Sequence, residues 1–308
     1  MSRADTQRVG VIGIGNMGWG MAARLLSQGW PVAVHDVDAE RMALAAAAGA
    51  SPSGSAFELA QRSDCVIVAV VDSAQTDAVL FGPLGCVDGS VAGQVAGQVV
   101  LLCPTLAPAD TERFAARLAQ RGIDCIDAPM SGGPARAHDG TMSLMLACAD
   151  SVFERNRGLI EALSTTVFRI GQRLGDGART KLVNNLLAAV NLAAAAEAMA
   201  LAQRLGLDAQ RTLDVIEKSS GQSWIGSERM RRALGGDKAV GAHMSLLAKD
   251  SALALHEAQR SGQAVPVGQA AAATFAAAMR DGLALADDSR LLDWVLALRL
   301  DAAEQSAR

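Results

Sequence analysis

Hydrophobic and polar positions fall into two regimes along the chain. Up to about Ile170 short apolar runs alternate with amphipathic stretches; beyond Gly171 only helical periodicity remains. Val9-Gly10-Val11-Ile12 predicts a strand, Met17 to Ser27 a helix stopped by Gly29 and Pro31, and Val32 to His35 a second strand. Asp38 to Ala48 reads as a helix ended by Gly49, and Ser55-Ala56-Phe57-Glu58 is a capping box opening a short helix. Cys65 to Val70 is a continuous apolar run of the kind buried on both faces of a parallel sheet. Val99 to Leu102, Ile123 to Asp127, Met142 to Cys148 and Thr166 to Ile170 supply further strands, with a helix over 108–120. This alternation predicts an α/β class with a doubly wound parallel sheet. The second regime reads as helices at 178–206, 209–219, 223–234, 244–261, 266–281 and 289–304. Two domains are therefore expected, 1–171 and 172–308, the second all-helical and led by a long interdomain helix. That helix is apolar on nearly every face, so it is expected to be buried all round. The expected substrate cleft lies between the domains.

The junction after the first strand carries the first chemical signal. Gly13-Ile14-Gly15-Asn16-Met17-Gly18 fits G-x-G-x-x-G, with a strand before it, a helix after it and Asp36 closing the second strand. In that context the motif reads as a Rossmann-type dinucleotide site. Gly13 serves the tight turn, Gly15 lets backbone N–H groups approach a pyrophosphate, and Gly18 lets helix and strand pack closely. The helix start adds donors and a positive dipole end for phosphates. Asn16 and Met17 of the loop and Val70, at the end of the third parallel run, join the expected cofactor contacts. The carboxylate of Asp36 is placed to accept from an adenosine ribose and repel a 2′-phosphate. Arg41 is the nearest arginine and comes late for a phosphate clamp, so NAD is expected over NADP.

Bulk properties narrow the class. The chain has 308 residues, half of them apolar, and a net charge of −4, so nothing offers a basic field for nucleic acid. The start of the chain is polar and lacks the apolar core of a secretory signal. The longest apolar run, Leu186 to Ala202, is interrupted by Asn191 and Glu197, which favours a buried helix over a membrane span. Five scattered cysteines without C-x-x-C spacing suit reduced thiols in the cytoplasm. With no tyrosine, a Tyr-dependent hydride-transfer mechanism is impossible, and the histidines and cysteines form no zinc-type spacing, so no metal is expected. Acid–base work on an alcohol is left to a lysine, a carboxyl or an isolated histidine.

Asp127-Ala128-Pro129-Met130-Ser131-Gly132-Gly133 leaves a strand at its C-terminal end, where open α/β sheets bind ligands. Ser131, Gly132 and Gly133 offer a hydroxyl and exposed N–H groups for a small anion, or they form only a turn. Arg136 follows closely. Thr105, in Cys103-Pro104-Thr105, also follows a strand, as a ligand contact or as a helix cap. On the long helix Lys181 and Asn185 lie four apart and share a face, with Asn184 beside them. Lys249-Asp250 interrupts the apolar face of its helix, as a site pair or a local ion pair. Between Gly89 and Val99 a local duplication, V-A-G-Q-V-A-G-Q-V, reads as a loop or short helix without function.

Four motifs in order, GVIGIGNMGWGM, DAPMSGGPARAHDGTM, GARTKLVNN and LLAKDSALAL, resemble the β-hydroxyacid dehydrogenase family, most closely its 3-hydroxyisobutyrate dehydrogenase branch. The likeness spans essentially the whole chain. It implies a cytoplasmic oxidoreductase that transfers a hydride between NAD(P) and a small 3-hydroxy carboxylic acid, and a homodimer or homotetramer built through the helical domain. It also implies roles: Lys181 as general acid/base, Asn185 as its positioning partner, Ser131, Gly132 and Gly133 as the substrate-carboxylate cradle, and Thr105 and Lys249 near the nicotinamide. A free lysine, with a pKa of about 10.4, is a poor base at neutral pH, and burial is the expected means of lowering it. The related 6-phosphogluconate dehydrogenases carry a larger helical portion, which argues against that substrate. The family's Asp-x-Ser-Thr stretch is matched here only by Thr105, within Leu102-Cys103-Pro104-Thr105. Ser219-Ser220-Gly221-Gln222-Ser223-Trp224 is polar for a cleft accepting a methyl-branched acid and suits a polyhydroxylated one, such as threonate or tartronate semialdehyde. A reading of another class is a dinucleotide-binding sensor without turnover; retention of Lys181, Asn185 and Ser131 together argues against it.

Overall fold

A computed structural model describes residues 7–87, 98–237 and 239–298. The duplication between Gly89 and Val99 falls largely outside the described residues, as does the expected helix beyond residue 298. The chain divides into two compact units, with the boundary between Lys181 and Leu182, inside the long helix that opens the helical part.

The first unit is a nine-stranded sheet covered by helices on both faces. Its elements are β1 (Val9–Ile12), α1 (Asn16–Ser27), β2 (Val32–His35), α2 (Ala39–Ala47), β3 (Ser51–Pro52), α3 (Ala56–Gln61), β4 (Cys65–Val68), α4 (Ser73–Phe81), β5 (Val99–Leu102), α5 (Pro108–Ala119), β6 (Asp124–Asp127), β7 (Met130–Ser131), α6 (Gly133–Asp139), β8 (Ser143–Ala147), α7 (Asp150–Leu163) and β9 (Thr166–Gly171). The order β3-β2-β1-β4-β5-β6 is parallel throughout, which puts the topological switch point at β1 and β4.

Strand periodicity builds two cores from one sheet. Val9, Val11, Cys65, Ile67, Val99 and Leu101 face α1 and α7, while Ile12, Val66, Val68, Val100 and Leu102 face α3, α4 and α5. Both faces are buried, which is why these strands read as continuous apolar runs. Burying a leucine such as Leu101 contributes about 1.5–3 kcal/mol. The sheet is not parallel to its edge: β8 runs antiparallel to β6 and β7, while β9 is parallel to β8. Runs of apolar residues carry no sign of strand direction, so the reversal was invisible in them.

The second unit contains most of α8 (Asp176–Arg204), then α9 (Ala209–Glu217), α10 (Trp224–Leu234), α11 (Met244–Ser261), α12 (Pro266–Ala278) and α13 (Leu291–Ala297). Its core joins Ala189, Leu192, Ala196 and Met199 of α8 to Met230, Leu247, Phe275 and Leu291. The expectation that α8 is buried all round fails. Val183, Leu187, Leu201 and the following Leu205 are 59–71% exposed, because this unit packs helices against one face of α8 only.

Candidate active site

Several of the sequence-identified residues gather at the C-terminal ends of the parallel strands of the first unit. Gly13 follows β1 with φ +83°, a conformation that a side chain resists, and an added Cβ would also lie 2.8 Å from the Ala69 carbonyl. At Gly18 a Cβ would lie 1.9 Å from the Gly13 carbonyl oxygen, so only glycine lets α1 start this close to the loop. Gly15 is the N-cap of α1 and offers no side-chain cap. A Cβ built there meets nothing within 4 Å, which leaves open space beside uncapped helix N–H groups. The shape and donor set fit a dinucleotide pyrophosphate, and a larger residue at Gly15 would fill the cradle. Asn16 is exposed, whereas Met17 is partly buried, with its side chain packed on the core. Val70 lies just past β4, against the Gly13 turn.

Asp36 has a second task that its position alone did not reveal. One carboxylate oxygen accepts from Ile14 N–H at 2.7 Å and the other from Asp38 N–H at 2.9 Å. The acid therefore ties the glycine loop to the end of β2, and each oxygen keeps a lone pair for a ribose hydroxyl. Arg41, late in the sequence, reaches the same loop. Its Nη1 donates to Ile14 O at 3.2 Å and its Nε pairs with Asp38 at 3.4 Å.

The anion-loop candidates also sit in ordered structure rather than a simple turn. Ser131 ends β7 opposite Ser143 of β8, and Gly133 begins α6, which the run Pro134-Ala135-Arg136 had not suggested. Gly132 and Gly133 have φ of +127° and +79°. Arg136 is engaged within its own helix end: its Nη2 donates to Thr141 O at 2.5 Å, and its side chain lies beside Gly132, with Nε 3.3 Å from where a Cβ there would stand. Helix α6 packs on α1, with Gly20 admitting Ala137 where a Cβ would stand only 2.8 Å away. The glycine-loop helix and the Ser131-loop helix are thus packed directly against each other. Thr105 is half-buried three residues past the end of β5.

On α8, Lys181 and Asn185 are both buried, each 7% exposed, and share a helix face at i, i+4. Asn185 Nδ2 donates to Asp250 Oδ2 at 2.6 Å, and Asn184 Nδ2 donates to Asn185 Oδ1 at 3.0 Å. Lys249 Nζ donates to the other Asp250 oxygen at 2.7 Å. The interrupted apolar face of α11 therefore has a physical cause: Asp250 is turned inward, 7% exposed, to hold Asn185. The polar stretch after α9 is partly explained by capping, since the Ser223 hydroxyl accepts from Gly226 N–H at 3.1 Å.

Asp127 is the residue whose role sequence reasoning missed. It is 1% exposed at the end of β6, and one carboxylate oxygen accepts from Gly175 N–H at 2.9 Å and Ala178 N–H at 3.0 Å. Burial pushes its carboxyl up to about 6, against the opposing pull of these backbone donors. The signal available was Gly175 and Gly177 in G-D-G-A-R-T-K, since a Cβ on Gly177 would lie 2.9 Å from the Asp127 carboxyl carbon.

Comparison with known proteins places this architecture. Residues 8–171 match the NAD-binding domain of 6-phosphogluconate dehydrogenase, and residues 175–295 match the NAD-binding domain of NADP-dependent 3-hydroxyisobutyrate dehydrogenase. The chain is 38% identical over 250 residues to an L-threonate dehydrogenase of Cupriavidus necator, covering 81% of this chain and 83% of that protein. It is 31% identical to the 2-hydroxy-3-oxopropionate reductase of Escherichia coli, covering 80% and 83% respectively. The crystal structure of a 3-hydroxyisobutyrate dehydrogenase from Salmonella typhimurium superposes with a TM-score of 0.86 at 32% identity, covering 94% of this chain and 99% of that one.

Proposed function

The chain belongs to the β-hydroxyacid dehydrogenase family, and on that footing we propose a small polyhydroxylated acid of the threonate class as its substrate, Lys181 as its acid/base and NAD as its preferred cofactor. As a member it is a nicotinamide-dependent oxidoreductase acting on the CH–OH group of a small hydroxy acid. The bound nicotinamide supplies the hydride acceptor, or the donor in the reverse direction.

The observation that carries the residue assignment is the buried pair on α8. Lys181 lies one turn from an asparagine whose amide is fixed by a buried carboxylate. In oxidation the Lys181 amine takes the hydroxyl proton as the carbon gives up its hydride, and in reduction it returns that proton. Asn185, held by Asp250, orients the hydroxyl so that these two losses coincide. Ser131 and the N–H groups of Gly132 and Gly133 bind the substrate carboxylate, in hydrogen bonds strengthened by its charge. Thr105 and Lys249 border the nicotinamide, and the glycine loop with Asn16, Met17, Val70 and Asp36 binds the rest of the cofactor. Asp36 supports NAD because its carboxylate meets a 2′-phosphate with like charge.

The substrate class is supported by the threonate dehydrogenase relative and by the exposed polar segment Ser219 to Gln222. The exposed apolar stripe of α8 supports a homodimer or homotetramer assembled through the helical unit, and we read the enzyme as cytoplasmic. The test is a panel with NAD and NADP, followed by absorbance of the reduced cofactor. L-threonate should be turned over with a higher kcat/KM than 3-hydroxyisobutyrate or serine, and an acid should exceed its amide at least tenfold. Preference for 3-hydroxyisobutyrate would refute the substrate class, and equal use of acid and amide would refute the carboxylate cradle.

A further inference from the structure

We propose that Asp127 is a positioning residue for proton transfer: its carboxylate fixes the helical turn beneath Lys181 and joins that turn to the strand leading into the Ser131 loop. The inference rests on Lys181 being the acid/base. Its geometry is independent of that reading.

Side chains on a helix lean toward its N-terminus and cover the turn before their own Cα. Gly177 and Ala178 stand four and three residues before Lys181, so the Lys181 stem runs back over the turn they form. Asp127 holds this turn through the N–H groups of Gly175 and Ala178. The approach is close: besides the Asp127 carboxyl, a Cβ on Gly177 would meet the Met145 carbonyl at 2.7 Å. Four residues beyond Asp127 along the chain is Ser131. One buried carboxylate thus references the lysine's helix to the strand that delivers the substrate loop.

The charge has a separate consequence. Asp176 of α8 acts on Asp127 as a like charge, and it pairs with Arg179 at 2.9 Å. Cys125, on β6 itself, and Cys103 and Cys148, just past β5 and β8, are held protonated by burial. Glu112 of α5 is taken up by Arg179 and Arg173, and Arg155 of α7 pairs with Asp124 at the other end of β6. The Asp127 carboxylate therefore puts a negative charge at the first turns of α8, and an anion there favours the protonated form of a nearby amine until Asp127 is itself protonated.

Asp127→Asn loses the charge and turns the second oxygen into a donor, while its amide oxygen can still take the Gly175 and Ala178 N–H groups that Oδ2 accepts, now in weaker neutral hydrogen bonds. The variant should retain wild-type cofactor dissociation constants, lose about ten- to a hundredfold in kcat, and change the substrate KM by only a few-fold. Its oxidative pH profile should also rise at lower pH than that of the wild type, since a neutral side chain no longer favours the lysinium. In the wild type log(kcat/KM) should show an extra fall through about pH 6, no deeper than the ten- to hundredfold by which the neutral side chain lowers turnover, and Asp127→Asn should lack it. Asp288→Asn removes the other buried carboxyl that is pushed to about 6 and should keep this extra fall. A folded Asp127→Asn with wild-type kcat and an unmoved profile overturns the proposal. If the variant does not fold, a wild-type profile without the extra fall down to pH 5 overturns it and its presence supports it. Full activity in Lys181→Ala would instead overturn the assignment of the acid/base.

Discussion

Replacing Asp250 with alanine should damage catalysis more than it damages the fold. The substitution removes both acceptors that organise the buried cluster: Oδ2, 2.6 Å from Asn185 Nδ2, and Oδ1, 2.7 Å from Lys249 Nζ. Hydrogen bonds to a charged group contribute about 1.5–3 kcal/mol, and leaving the Asn185 NH2 group buried without this acceptor costs about 1–3 kcal/mol, while Asn184 still holds Asn185 Oδ1. The Lys249 side chain is 25% exposed and can turn toward water, so the cost centres on Asn185, which is 7% exposed. Freed from Asp250, the amide can rotate, and each 1.36 kcal/mol lost from the transition state is a factor of ten in rate. A loss of about ten- to a hundredfold in kcat/KM is expected, with a modest fall in melting temperature. Asp250→Asn keeps an acceptor for Asn185 and should lose less than a third as much on a logarithmic scale. Steady-state kinetics with the best acid of the panel, alongside thermal unfolding, measures both effects. An Asp250→Ala enzyme that is stable and fully active would refute the view that this carboxylate positions Asn185.

Lys181→Ala should lower kcat by about a hundred- to ten-thousandfold while NAD affinity, measured by fluorescence titration, stays within a few-fold of wild type. Asp36→Asn should raise the NADP to NAD ratio of kcat/KM about tenfold or more; because Asp36 also accepts from Ile14 N–H, asparagine is the cleaner change than alanine, and a wild-type preference for NADP would contradict the reading. Burial pushes Asp288 up to about 6 in spite of Arg229 at 2.5 Å, so the folded protein holds this proton more tightly than the unfolded chain. Its contribution to stability is thus fully present below the unfolded value near 4 and is lost as pH rises through about 6. In urea unfolding the wild type should lose stability relative to Asp288→Asn between pH 4 and 6, and a constant difference would refute the shift.

The sequence by itself determined the parallel half of the sheet, the glycine loop, the helical second regime and the Lys181–Asn185 face. These depend on local rules: runs buried on two faces, a turn that only glycine can make, and helical spacing of i, i+4. Residue type and near neighbours suffice for such features. Tertiary structure alone decided the antiparallel reversal of β8, the inward turn of Asp250 and the capping of α8 by Asp127, because each joins segments far apart in the chain. The same holds for α8 itself. Its apolar composition indicated burial on all sides, but only the arrangement of α9 to α13 determines which face is covered and which is exposed. Asp36 shows both levels in one residue. Its place at a strand end was legible as a ribose acceptor, while its hold on Ile14 depends on the folded loop bringing that N–H to 2.7 Å.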